Sequence, residues 1–261
     1  MWHLIVAILK LVPKIIVAYF GWILSYFKKM DKIDINTRYQ KVRRLICHAN
    51  KDLKIDIHYE GLENIPDVTS CYVANHLSVV DPLLYFPLFE KPVSFLGKVE
   101  IEKYPVAGKL LTIGGGLFLK RDDLKQQLKV MMKVQDSLKE GDRNWFIFPE
   151  GTRLKDQMQV IPNFHQGTFR APMKAGVPIV PVVNYGSFRI LNLKHSLKKY
   201  PTYIKFLEPL YPSDYEGKST EEVAVIVRDR IEKALTYEAR AYDHKAMLEL
   251  EDKHYRFNKV Y

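Results

Sequence analysis

The sequence predicts an α/β fold, a largely parallel or mixed sheet flanked by helices, preceded by a membrane-associated helical segment. Three observations carry that expectation. Short apolar runs alternate with helical stretches between residues 54 and 206, the order expected of strands joined by helical crossovers. No Pro/Gly/Ser-rich linker follows the N-terminal region, so a single core is expected within the 261 residues. The first 27 residues are apolar apart from His3, Lys10, Lys14 and Ser25.

That opening stretch is MWHLIVAILKLVPKIIVAYFGWILSYF, and Pro13 divides it. Leu4–Val12 and Ile15–Phe27 are each too short to cross roughly 30 Å of hydrocarbon as a helix. Joined, they are long enough, but two lysines then fall near the middle, at about 2.5–3.5 kcal/mol each. The basic residues and the missing small-residue cleavage site do not fit a secretory signal. Lys10 and Lys14 lie four apart and share a helical face. Trp2, Tyr19, Trp22 and Tyr26 are interfacial aromatics, and Lys28, Lys29 and Lys32 attract anionic headgroups. The expected structure is a kinked helix or short helical pair lying in one leaflet, a monotopic anchor. A tilted spanning helix with snorkelling lysines is the competing reading. Residues 1–32 are taken as the anchoring segment and 33–261 as the domain with its C-terminal helices.

Within the domain a helix is expected at Thr37–Asn50 and a strand at Lys54–Glu60. Further strands are expected at Ser70–Ala74, Ser94–Gly97, Leu117–Leu119, Asn144–Phe148, Ile179–Val183 and Thr202–Phe206. Helices at Pro82–Phe89, Lys103–Thr112, Leu124–Glu140 and His165–Lys174 fit between them. Asp81 reads as an N-cap with Pro82 at the first helical position. Ser219–Glu238 reads as an amphipathic helix opening on a Ser219/Glu222 capping box, and the charged tail beyond it as a solvated helix.

Composition narrows the function. A chain 47% hydrophobic and 27% charged is not disordered as a whole. Its net charge of +10 suits an anionic partner: a membrane surface, nucleic acid or an acidic carrier protein. No clustered basic helix with interleaved aromatics supports nucleic acid. Cys47 and Cys71 are the only cysteines and form no CxxC pair, which leaves a disulfide framework or cysteine zinc site unsupported.

Four blocks fall where strands begin or end, the places where α/β folds put ligands. The first is Asn75-His76…Asp81. Five residues span about 16 Å in a strand, so contact between His76 and Asp81 needs a turn. The plain reading is a cap beside a loop histidine. The second block is Gly114–Arg121, where Gly114–Gly116 reads as a flexible turn before a strand. Lys120 and Arg121 can grip a phosphate or pair with Asp122 and Asp123. The third is Phe148-Pro-Glu-Gly-Thr-Arg153. Its glycine permits an unusual backbone angle, and Arg153 can hold a phosphate bidentately or pair with Glu150. The fourth is Val177–Val183. A facial metal triad of His76, Asp81 and Glu150 lacks ligand spacing and a second histidine. No metal or other cofactor is expected. GxSxG is absent, and the remaining histidines, His165 among them, read as structural or surface residues.

These blocks, in this order, resemble the PlsC-type glycerolipid acyltransferases, and within them the 1-acyl-sn-glycerol-3-phosphate acyltransferases. The family pattern is NHxxxxD, a glycine-aromatic block ending in arginine, FPEGTR, and an apolar strand like VPIVPV. The resemblance covers roughly Gly61–Pro209 and implies a single glycerolipid acyltransferase-like domain. By motif, His76 resembles the general base and Asp81 its orienting partner, with Asn75 shaping their loop. Arg121 and Lys98, in GKVEIEKYP, resemble positions that bind the acceptor's phosphate, and Glu150, Gly151, Thr152 and Arg153 match the acceptor-binding block. Two residues depart from the pattern: Lys120 stands where an acid is common, and Leu154 where a serine is frequent. The resemblance implies transfer of an acyl chain from acyl-CoA or acyl carrier protein to the sn-2 hydroxyl of lysophosphatidic acid, giving phosphatidic acid. It also implies contact with membrane lipids and a catalytic domain on the cytoplasmic face. The alternative is a non-catalytic membrane- or lipid-binding protein.

Overall fold

The computed structural model describes residues 2–152, 161–192 and 197–250. Seven strands make one sheet: β1 (Ile55–Glu60), β2 (Cys71–Ala74), β3 (Val93–Lys98), β4 (Leu117–Leu119), β5 (Asn144–Ile147), β6 (Ile179–Tyr185) and β7 (Tyr200–Phe206). Their order is β1-β7-β6-β2-β5-β3-β4. Every neighbouring pair is parallel except β6 and β7. All seven expected strands therefore form in a mixed, mostly parallel sheet. The β2 and β5 runs are short, unbroken and buried on both sides, as interior parallel strands require. Pro181 is tolerated in a central strand because its carbonyl faces Leu207, just past the ladder with β7. Its missing N–H therefore falls where that pairing ends.

The helices are α1 (Trp2–Ala18), α2 (Leu24–Lys28), α3 (Ile35–Asp52), α4 (Ala107–Ile113), α5 (Leu124–Glu140), α6 (Arg170–Ala175), α7 (Pro212–Tyr215), α8 (Thr220–Ala234) and α9 (Arg240–Glu249). Alternation along the strands divides the core in two. Tyr72, Ala74, Phe146, Val180 and Val182 pack with Tyr39, Val42 and Ile46 of α3 and with Ala7 and Ala18 of α1. Cys71, Val73, Trp145, Ile147, Ile179 and Val183 pack with residues of α5, α6 and α8. Thus α1 and α3 lie on one face of the sheet and α5 on the other.

Asp34 caps α3 and Asp123 caps α5, each accepting a backbone N–H three residues on. Gly141 closes α5 in the left-handed conformation at φ 72°. The capping box of Ser219 and Glu222 opens α8 as expected.

Three expectations are corrected. Pro13 does not divide the N-terminal stretch: it lies inside α1, which runs through a π turn at Tyr19–Ile23 into α2. Ile5–Lys28 is a continuous helix of 24 residues with a mean hydropathy of 1.8, long and apolar enough to cross a membrane. Lys14 is bonded to Asp52, at the end of α3, at 2.7 Å. Second, Pro82–Phe89 is a 3-10 turn at Asp81–Leu84 followed by irregular chain. Pro82 and Pro87 lack donors, and α3 supplies bonds that a helix would have made internally. Asn50 donates to the Leu83 carbonyl, Arg43 to those of Phe86 and Pro87, Tyr39 to that of Phe89 and Gln40 to that of Glu90. Third, the tail is not wholly solvated: α9 buries Asp243 and Met247, and Asp243 forms a buried ion pair with Arg189.

Candidate active site

The four strands β2, β5, β3 and β4 are adjacent and parallel, so their C-terminal ends share one edge of the sheet. Asn75 and His76 follow β2, Phe148 to Thr152 follow β5, Lys98 ends β3, and Lys120 and Arg121 follow β4. The topology thus gathers at one edge residues that lie up to 77 positions apart in the sequence. Arg153 and Leu154 lie outside the described residues.

The chain leaves the sheet at Asn75 without abandoning its neighbour. The Asn75 carboxamide donates to the Asn184 carbonyl and accepts the Asn184 N–H, both at 2.8 Å. A side chain therefore continues the β6 ladder while the backbone turns out of the plane. In that turn Oδ2 of Asp81 receives His76 Nδ1 at 2.7 Å, Leu77 N at 2.8 Å and Ser78 N at 2.9 Å. Asp81 caps nothing downstream; it closes the loop behind it, and this overturns the N-cap reading. A carboxylate can only accept, so Nδ1 carries the ring proton and Nε2 is left as the acceptor. The His76 side chain is 21% exposed and Asp81 fully buried. The imidazole stacks on Phe148 with ring centroids 4.4 Å apart.

Glu150 braces the loop from β5. Its Oε1 accepts the His76 backbone N–H at 3.0 Å, and the residue is buried. Burial is the main cause that pushes its carboxyl up to about 8; the His76 N–H opposes the shift and the Asp81 charge adds to it. Its Oε2 is buried without a partner among the described residues. Glu150 therefore contacts the His76 loop rather than facing solvent. Gly151 follows at φ 64°, and a Cβ there would meet His165 Nε2 at 2.8 Å, so the turn needs glycine twice over. Thr152 is exposed.

Lys98 pairs with Glu100 at 2.8 Å. Lys98 first and Arg121 more weakly hold the Glu100 carboxyl below its usual range, so both cations act in one region. Arg121 is exposed, and its carbonyl is held by Gln127. Gly114–Gly116 sits at the opposite end of β4, bonded to Ser94 and Arg143. It is a turn before the strand, as expected, but a packed one rather than a flexible one. No group of three or more His, Cys, Asp or Glu side chains is arranged to hold a metal ion among the described residues. Sequence reasoning missed Phe148 as the platform under His76, His165 as the neighbour of Gly151, and the α3 side chains that hold the chain after Asp81.

The family model described as Acyltransferase matches residues 56–185. A 1-acyl-sn-glycerol-3-phosphate acyltransferase of Borreliella burgdorferi is 30% identical over 186 residues, covering 69% of this chain and 72% of the relative. A chloroplastic 1-acyl-sn-glycerol-3-phosphate acyltransferase of Arabidopsis thaliana is 36% identical over 137 residues, 52% of this chain. That match spans 37% of the Arabidopsis protein, and the Brassica napus chloroplastic relative is matched over 39% of its length. Among solved structures, the 1-acyl-sn-glycerophosphate acyltransferase PlsC of Thermotoga maritima has the same fold. Its TM-score is 0.69 at 24% identity, covering 89% of this chain and 95% of that one.

Proposed function

The chain belongs to the acyltransferase family, and from that premise we propose that it moves an acyl chain from a thioester to the sn-2 hydroxyl of 1-acyl-sn-glycerol-3-phosphate. The observation that carries this reading is the hydrogen bond of 2.7 Å between His76 Nδ1 and Asp81 Oδ2, which leaves Nε2 of a partly exposed ring as the acceptor.

The chemistry follows from that arrangement. A glycerol hydroxyl is a weak nucleophile at neutral pH and needs its proton removed as it attacks. His76 Nε2 takes that proton while the hydroxyl oxygen bonds to the thioester carbonyl carbon. The C–S bond of the tetrahedral intermediate then breaks, and the departing thiolate recovers the proton from the imidazolium. A thiol with an ordinary pKa of about 8.5 leaves readily, so no protein nucleophile is needed. Asp81 fixes the ring's tautomer and offsets the imidazolium charge. Asn75 and Glu150 hold the loop. Lys98 and Arg121 take the acceptor's phosphate, with Arg153 adding a third charge, and this remote binding energy positions the hydroxyl.

The N-terminal helix brings the site to its lipid. Ile5, Ile8, Leu9, Val12 and Ile16 are exposed and form one stripe, continued by Phe20. At 100° per residue, Lys10 and Lys14 lie roughly 130° and 170° around the helix from it. Lys14 is engaged by Asp52 on the domain side. An apolar stripe on one side and lysines on the other suit a helix lying in one leaflet, with the catalytic domain on the cytoplasmic face.

Thiol release from an acyl thioester, with and without lysophosphatidic acid, tests the function. Release that depends on the acceptor is expected. Membrane binding without acceptor-dependent release would instead make the chain a lipid-binding protein.

A further inference from the structure

We propose that the outer face of α5 is the docking surface for an acidic acyl carrier protein, which presents the thioester from the side opposite the lipid. The proposal rests on the acyl-transfer reading above and names its donor's carrier. Leu124, Leu128 and Met132 recur every four residues along α5 and are 70%, 45% and 62% exposed. Val130, Val134 and Leu138 already fill the core-facing side, and the exposed stripe lies outside that core. One residue on from each stripe member stands a lysine. Lys125, Lys129 and Lys133 are all exposed and make a parallel basic row. Lys120 and Arg121 extend that row to the sheet edge that carries His76. Of the exposed acids nearby, Asp122 interrupts the row between Arg121 and Lys125, and Asp136 and Glu140 follow its far end.

An apolar stripe beside a row of lysines fits an amphipathic partner whose own apolar patch is edged by carboxylates. The bilayer does not suit this face. The apolar stripe of α1 lies on the face of the sheet covered by α3, whereas α5 packs on the other face with α6 and α8. One planar membrane does not reach both. A second copy of the chain suits it no better, because its lysine row would face this one. The place also fits a donor. α5 begins where β4 ends, and β4 is three strands from β2, about 14 Å across the sheet. A carrier docked there needs an extended prosthetic arm to bring its thioester to His76.

The test uses the full chain in detergent micelles, with acyl carrier protein and acyl-CoA compared as donors of the same acyl group. Lys125→Glu, Lys129→Glu and Lys133→Glu together, and separately Leu128→Ser, should raise KM for the acyl carrier protein by about tenfold or more. Both should leave kcat/KM for acyl-CoA within about twofold. Circular dichroism melts of both variants confirm folding. Equal loss with both donors, no change with either, or wild-type transfer from acyl-CoA but never from the carrier would overturn the docking surface. So would a variant that loses vesicle binding or self-association while carrier kinetics stay unchanged. Absence of transfer from both donors in the wild type would instead overturn the acyl-transfer reading, and the docking surface with it.

Discussion

Asp81→Asn separates the positioning of His76 from everything else in the fold. Oδ2 of Asp81 receives three N–H groups, from His76 Nδ1, Leu77 and Ser78. An amide can keep its oxygen in that place, and the loop can keep its path. Its NH2 then occupies the position of Oδ1, which is buried with no hydrogen-bond partner among the described residues. Two buried donors without acceptors cost about 1–3 kcal/mol, and the three bonds lose the strength a charged acceptor gives. A loss of about 3 kcal/mol lowers the melting temperature of a domain this size by about 6–12 °C. The effect on rate is larger, because the imidazolium loses its counter-charge and the tautomer its anchor; a fall of about 10³–10⁴ in kcat is expected. Acceptor-dependent thiol release and a thermal melt read both quantities. The His76→Ala/Asp81→Asn double variant should be no slower than His76→Ala alone, since the two act as a unit. A kcat within threefold of wild type in Asp81→Asn, or rate losses that multiply in the double variant, would refute the reasoning.

The other predictions concern stability and membrane contact. The Glu150 carboxyl holds its proton up to about pH 8 in the folded chain, against an ordinary value of 4.5. The native state therefore binds more protons between those limits, and stability falls as pH rises through them, by up to about 5 kcal/mol. Urea unfolding should show Glu150→Gln gaining on wild type from pH 5 to pH 8; parallel curves would contradict this. Arg189→Met strands Asp243 in the core and should cost about 3–5 kcal/mol, with Arg189→Met/Asp243→Leu recovering most of it in the same unfolding assay. Ile16→Asp with Phe20→Asp should abolish cosedimentation with anionic vesicles, while the melting temperature moves by less than about 5 °C.

The centre of the sheet was legible because buried parallel strands such as β2 and β5 write themselves as short apolar runs. At the edge β1 is mixed in sequence and only partly buried, and it too formed where expected. Where local pattern and tertiary bonding part, the sequence misled. Pro82–Phe89 is apolar enough for a helix. What decides its path is a row of α3 donors more than thirty residues earlier, which no local window contains. Asp81 before Pro82 looks like a cap by every local rule. Its carboxylate points backwards because the chain must leave β2 at Asn75 and needs its N–H groups satisfied within six residues. Pro13 reads as a break, yet a helix supported along its side by α3 and by the Lys14–Asp52 pair runs through it. In the site, the residues alone left His76 and Asp81 as a loop histidine beside a cap, and their pairing was expected only from the family resemblance; the structure brings them to 2.7 Å. The bond from Glu150 to the His76 N–H was not legible, because it depends on β2 and β5 being neighbours.

The account turns on a single nitrogen, and removing it is the most direct measurement. Acceptor-dependent thiol release by full-length His76→Ala should fall by at least about 10³-fold. The Asp81 carboxylate keeps its two backbone N–H donors, so the protein should stay folded, with its melting temperature lowered no further than in Asp81→Asn. A folded His76→Ala protein that acylates lysophosphatidic acid at the wild-type rate would contradict the account.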